Sequence, residues 1–140
     1  MPHVFVSYMH ANEADVRRLC DSLEANSIEV WLDRDDIAPG IRWKQAIRRA
    51  IQNGSFFIAC FSEEYYTRDS THMNEELTLA IEELRKRHTD RVWFIPVLLS
   101  NCDVPDRDIG AGETLRDFQH VDLYRDWNVG IQKIISIIQS

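Results

Sequence analysis

Ser55-Phe56-Phe57-Ile58-Ala59-Cys60-Phe61 is apolar at every position after the first. Seven residues is the length of a strand, and Asn53-Gly54 just before it is a stop signal for a preceding helix. A strand without polar alternation has to be covered on both faces. His3 to Ser7 (HVFVS) reads the same way, with Val4, Phe5 and Val6 in succession. So does Val92 to Leu98 (VWFIPVL). Ile28 to Leu32 (IEVWL) is a further strand, and a short one is expected near Phe118 to Val121.

The segments between these runs have helical periodicity. Val16, Leu19, Cys20 and Leu23 follow the i, i+3, i+4, i+7 rule, with Asn12 as the expected cap and Glu13 and Asp15 in the first turn. Trp43, Ala46, Ile47, Ala50 and Ile51 form a second stripe. Met73, Leu77, Ala80, Ile81 and Leu84 form a third, capped by Ser70 or Thr71 and running to about His88. A last helix starts near Asp126 and presents Trp127, Ile131, Ile134, Ile135 and Ile138. The stretch from Ser100 to Asp117 reads as long and irregular.

Strands that alternate with helices and are apolar on both faces imply a parallel sheet with helices on both faces. Five strands give a flavodoxin-like, doubly wound α/β fold over residues 1–140, a single domain. Ligands of such sheets bind beyond the carboxyl ends of the strands. Chemistry is therefore expected on Ser7 to Asn12, on Asp33 to Arg42 and on Ser62 to Glu76.

Length and charge narrow the function. The chain has 140 residues, 44% hydrophobic and 28% charged, enough for one real core. Sixteen basic against 23 acidic side chains leave a net charge of −7, which argues against nucleic acid or anionic lipid as partners. The apolar run Val92 to Leu99 is too short to span a bilayer, and no signal segment opens the chain. Cys20, Cys60 and Cys102 are scattered, without CxxC spacing. They fit a reducing, cytoplasmic setting better than a disulfide framework, and with five dispersed histidines they suggest no metal site. There is no GxxxxGK[ST], GxGxxG or GxSxG. A phospho-receiver aspartate is missing too, since the end of the third strand reads Cys60-Phe61-Ser62-Glu63.

Val4-Phe5-Val6-Ser7-Tyr8 resembles the opening box of Toll/interleukin-1 receptor (TIR) domains. Asp33-Arg34-Asp35-Asp36-Ile37-Ala38-Pro39-Gly40 is similar to their second box, the BB loop. Phe56 to Phe61 followed by Ser62 resembles their third strand. Thr71-His72-Met73-Asn74-Glu75-Glu76-Leu77 matches their WxxxE-L stretch at the glutamate and the leucine, with His72 where the tryptophan stands. The closing helix from Trp127 to Gln139 also fits, so the resemblance spans the chain, and its short spacings look prokaryotic.

The resemblance implies one of two activities. Some TIR domains only self-associate, as adaptors. Others cleave the nicotinamide–ribose bond of NAD⁺ with the glutamate of WxxxE, giving nicotinamide and linear or cyclic ADP-ribose. It further implies self-association through the BB loop, with Asp36, Ile37, Ala38, Pro39, Gly40 and Ile41 at the contact and Ile37, Ala38, Pro39 and Ile41 as an exposed apolar tip. A fused or separate sensor part, and a role in anti-phage or other immune signalling, fit the same resemblance. NAD⁺ would be substrate, with no cofactor. A nucleoside deoxyribosyltransferase-like enzyme is a third reading, since it shares the sheet and the carboxylate.

Helix rotation separates the two adjacent glutamates. At about 100° per residue, Glu75 falls roughly 175° from the centre of the Met73–Leu84 stripe, toward solvent. Glu76 falls roughly 85° from it, at the border of core and water. A border carboxylate lines a cleft while partly desolvated, which suits a catalytic role. One carboxylate suffices: glycosidases protonate an alkoxide leaving group, whereas the nicotinamide of NAD⁺ is cationic and leaves as a neutral molecule. Glu76 would stabilise the oxocarbenium-like transition state or trap the ribosyl cation covalently.

Ser7 and the backbone of Tyr8 to Asn12 are candidates for the pyrophosphate. Arg34 and Arg42 are candidate phosphate contacts that equally fit exposed ion pairs. Trp43 is a stacking candidate that also fits the core. His72, or Tyr66 in its place, would contact a base. Trp31, Trp93 and Trp127 are assigned to packing, and Cys20 and Cys60 to buried, inert positions.

Overall fold

The computed structural model describes residues 3–32, 37–67, 72–86 and 91–140. Five parallel strands form one sheet: β1 (His3–Ser7), β2 (Glu29–Trp31), β3 (Phe56–Phe61), β4 (Phe94–Leu98) and β7 (Val121–Asp122), in the order β2-β1-β3-β4-β7. Helices α1 (Glu13–Glu24), α2 (Trp43–Gln52), α3 (Glu63–Thr67), α4 (His72–Lys86) and α5 (Trp127–Gln139) connect and follow the strands. This is the flavodoxin-like arrangement that the apolar runs imply. The register sets Ser7 beside Ala59 and Phe61 beside Leu98, so the carboxyl ends of β1, β3 and β4 open on one side.

Alternation within β3 divides the core in two. Phe56, Ile58 and Cys60 face Val16, Leu19, Leu23, Ile134 and Ile138 of α1 and α5. Phe57, Ala59 and Phe61 face Ile47, Ile51, Met73, Leu77 and Ala80 of α2 and α4. Gly130 lets α5 close on β7: a Cβ there would sit 2.5 Å from Leu123 Cδ2.

Pro96 lies in an inner strand yet costs no hydrogen bond. Phe57 N–H donates to Trp93 O at 2.6 Å, and Leu99 N–H donates to Phe61 O at 2.8 Å. Odd residues of β4 therefore address β3, and the absent donor of Pro96 faces the other edge. There β7 pairs only with Val97 and Leu98.

Three expectations need correction. Ser62 leads into a short helix, α3, where no element was expected. Its five residues are too few to show a stripe. The stretch from Ser100 to Asp117 holds an antiparallel hairpin, β5 (Asp108–Gly110) with β6 (Glu113–Thr114), followed by a 3₁₀ turn at Leu115–Asp117. That turn carries a capping box: Asp117 Oδ2 accepts from Thr114 N–H at 2.7 Å, and Thr114 Oγ1 from Arg116 N–H at 3.2 Å. The fifth strand begins at Val121, where the notional strand from Phe118 was expected to end. The caps Ser70 and Thr71 and the helix end at His88 lie outside the described residues. Trp93 is buried, whereas Trp31 and Trp127 are half-buried; the His3 ring lies 4.8 Å from that of Trp31, tilted by 37°, and the Arg18 guanidinium lies 4.1 Å from the Trp127 ring. Cys20 and Cys60 are buried, and burial pushes the Cys60 thiol far up from its ordinary range.

Candidate functional site

The carboxyl ends of β1 and β3 carry two pairs of buried polar side chains, Ser7 with Glu76 and Ser62 with Asn12. Ser7, the last residue of β1, is fully buried, and its hydroxyl donates to Glu76 Oε1 at 2.8 Å. This bond joins the end of β1 to the second turn of α4 across 69 residues of chain. Ser62, the residue after β3, is 1% exposed and donates to Asn12 Oδ1 at 2.7 Å. Asn12 Nδ2 in turn lies 3.5 Å from Glu64 Oε2 on α3.

Glu76 is 6% exposed, deeper than the border position that rotation predicts. The physical reason is the width of the covered arc of α4. Leu79 and Glu83 are buried as well, because α2 packs on that side. Arg48 of α2 donates from Nη2 to Glu82 Oε2 at 3.0 Å, and its Nε lies 3.5 Å from Glu83 Oε1. The opposite side of α4 is met by β5, with Arg107 Nη2 donating to Thr78 Oγ1 at 3.3 Å. A helix covered from two sides as well as below buries residues that a single stripe leaves at its margin. Glu75 is exposed, as its rotation predicts.

Asn12 precedes α1 but its side chain caps nothing. Its backbone N–H closes a 3₁₀ turn onto Met9 O at 2.8 Å, which turns the amide away from the helix and toward β3. Asn12 as a side-chain linker, Ser62 and Glu64 were therefore missed as site residues. The available signal was position: Ser62 ends an unbroken apolar strand at the ligand-binding end of a parallel sheet.

The other candidates scatter. Tyr8 is half-buried against the α1–α5 core. His72 is exposed at the first position of α4, and Arg42 is exposed just before α2. Trp43 is half-buried and packs on the α2–α4 core, with Lys44 Nζ 5.6 Å from its ring centre. Arg34 and Asp36 lie outside the described residues. Ile37 was expected in the exposed tip, but it is 9% exposed and belongs to the α2–α4 core. Ala38, Pro39, Gly40 and Ile41 are exposed, in a turn closed by Ile41 N–H donating to Ala38 O at 3.2 Å. Gly40 sits at φ +87°, a conformation that favours glycine. Tyr66 donates its hydroxyl to Asp103 O, and desolvation pushes its phenol up to about 12.

Among the described residues, no group of three or more His, Cys, Asp or Glu side chains is placed to hold a metal ion. No described helix is long and apolar enough to cross a membrane.

A family model for the TIR domain matches residues 4–135. This chain belongs to the TIR domain family. A curated relative, the uncharacterized protein y4cD of Sinorhizobium fredii, is 28% identical over 122 residues. That match covers 86% of this TIR chain and 18% of the relative, so the chain spans under a fifth of the relative's length. Among solved structures, the TIR domain of the Toll-related receptor TRR-2 from Hydra magnipapillata superposes with a TM-score of 0.67 at 20% identity, covering 98% of each chain. A metazoan TIR-STING receptor from C. gigas gives 0.67 at 24% identity, over all of this chain and 41% of that one. A prokaryotic SEFIR domain gives 0.60 at 19% identity over the whole of both. At these identities the structural likeness speaks for the fold alone.

Proposed function

We propose that this TIR domain cleaves the nicotinamide–ribose bond of NAD⁺, with Glu76 as the catalytic carboxylate and self-association as the activating event. The observation that carries this reading is a carboxylate at the sheet's ligand-binding end, 6% exposed, with one oxygen engaged by Ser7. A carboxylate in low dielectric interacts strongly with developing positive charge. As the bond to the cationic ring breaks, positive charge passes to the ribose, and the ring takes the bonding electron pair and leaves neutral. Glu76 then opposes the ribosyl cation, and water completes the hydrolysis to ADP-ribose. Where an internal nucleophile of the ADP-ribose part attacks in place of water, the new bond closes a cyclic product and the nucleophile's proton passes to solvent.

Ser7 holds the Glu76 carboxylate in one orientation, and the backbone of Tyr8 to Ala11 is the proposed source of donors to the pyrophosphate, the Asn12 N–H being taken by Met9 O. His72, Arg34, Arg42 and Trp43 complete the candidate contacts. The exposed turn Ala38-Pro39-Gly40-Ile41, its apolar tip lacking the buried Ile37, is the surface proposed to meet a second copy. The activity is set in a cytoplasmic protein whose other part senses a signal, anti-phage defence among the settings.

The test is turnover of a fluorescent NAD⁺ analogue by protein at high concentration or crowded on beads. Wild type and Glu75→Ala are expected to react and Glu76→Gln to be silent. Wild type without turnover in every assembled state overturns the proposal.

A second reading, an adaptor that only binds other TIR domains, is favoured by the same Ser7–Glu76 bond, which equally serves to lock β1 to α4. In that case Glu76→Ala leaves TIR–TIR association and downstream signalling intact.

A further inference from the structure

A cavity of about 620 Å³ opens at the outer edge of the sheet, between β1, β2 and α2. Its volume is in the range of small-molecule sites. Ser55, the residue before β3, lines it and is 5% exposed. The Ser55 backbone is fully engaged: its N–H donates to Ala50 O at 2.9 Å, and its carbonyl accepts from Arg91 Nη1 at 3.1 Å. The hydroxyl makes no hydrogen bond among the described residues. A donor and acceptor on a residue more than nine-tenths buried is thus left for whatever fills the cavity.

The other walls define what could enter. Trp31 and His3 form one of them, and Glu29 Oε2, 3.2 Å from His3 Nε2, holds the imidazole in place. Trp31 is half-buried, so part of its ring is left to stack on. Ala46 and Ala50 of α2 are small and leave room for a ring opposite it. Arg49 stands exposed at the rim, and nothing engages its guanidinium among the described residues. No acidic side chain belongs to the described lining, although the chain has a net charge of −7. A guanidinium and a hydroxyl beside an aromatic wall, with no carboxylate, select a flat ring that bears an anion. This place is separate from that of Glu76. Ser7 lies four residues beyond His3 on β1, about 13 Å at strand rise, and Phe5 packs on the same face between them.

We propose that this cavity is a second binding site, for a planar aromatic ring carrying a carboxylate or a phosphate. The ring stacks on Trp31, and Arg49 and the Ser55 hydroxyl hold the anion. The proposal does not depend on the hydrolase reading. Calorimetry with nicotinate and with AMP tests it, beside their neutral counterparts nicotinamide and adenosine. At least one anion is expected to bind about tenfold tighter than its counterpart; nicotinate alone marks an aromatic carboxylate as the ligand class, AMP alone a mononucleotide. Arg49→Gln is expected to raise that Kd about tenfold, the size of one charge-assisted hydrogen bond, and to leave the neutral counterpart unchanged. Ser55→Ala is expected to raise it about fivefold with the melting temperature unchanged, because the free protein loses no hydrogen bond. Absence of binding by both anions at millimolar concentration overturns the proposal, as does an affinity that Arg49→Gln leaves unchanged or lowers equally for the neutral counterpart. Binding lost in Glu76→Gln and kept in Arg49→Gln puts the ligand at the other end of the sheet and overturns it too.

Discussion

The two faces of the sheet are made differently. The α1–α5 face is closed by Val, Leu and Ile with Phe56 and two thiols. The α2–α4 face is built on Phe5, Phe57, Phe61 and Phe94, and its helix α4 carries the two buried acids among the described residues, Glu76 and Glu83. Burying a carboxylate is unfavourable unless partners offset it. Ser7 engages one of these acids and Arg48 approaches the other. The first face stabilises the domain, and the second holds two acids at a cost in stability that their partners have to offset. This division leads to predictions that separate activity from stability.

The largest effect is expected at Glu76. Glu76→Gln keeps the size and an oxygen for the Ser7 hydroxyl but removes the charge. Turnover should fall about a thousandfold, the range seen for loss of a transition-state electrostatic contact. The melting temperature should be unchanged or raised, because a buried charge is gone. A fall in activity that merely follows a fall in melting temperature would erase the contrast between the faces.

Ile134→Ala on the opposite face should do the reverse. Ile134 is fully buried, so truncation should cost about 3 kcal/mol in urea unfolding. Activity per folded molecule should be kept. Gly130→Ala should cost about 2 kcal/mol by overpacking, because the new methyl meets Leu123 and α5 has to shift from β7.

Arg48→Ala sharpens the picture on the α2–α4 face. Arg48 is one-third exposed and its Nε makes no hydrogen bond, so the loss should be about 1 kcal/mol, reduced further by salt. Smallest of all, Glu75→Ala should change stability by less than about 0.5 kcal/mol and leave turnover intact. A dead Glu75→Ala variant would assign the chemistry to the wrong carboxylate.

Much of the architecture was legible because β1, β3 and β4 are buried on both faces and have no polar alternation to misread. The helical stripes were legible for the matching reason: each of α1, α2, α4 and α5 is long enough for its period to show. Helix α3 was not, since Glu63-Glu64-Tyr65-Tyr66-Thr67 has no apolar face and no buried residue. The β5–β6 hairpin was hidden by the brevity of its strands, three residues and two. At the site, rotation and the stretch ending in Leu77 both singled out Glu76, and of the two acids Glu76 is the buried one and Glu75 the exposed one. The depth of Glu76 did not, because α2 covers a side of α4 that a hydrophobic stripe leaves unmarked. Ile37 misled for the same reason: an apolar residue in a polar loop reads as a tip until the core beneath it is known.

By itself the sequence determined the layer order, the parallel sheet and the helix face on which Glu76 lies, because periodicity records local geometry and burial. Only the tertiary structure decided that Ser7 meets Glu76, that Asn12 leaves its helix to bridge Ser62 and Glu64, and that Ile37 turns inward. Those contacts join residues 50 to 69 positions apart, or depend on what a neighbouring element covers, and no local pattern encodes such distances.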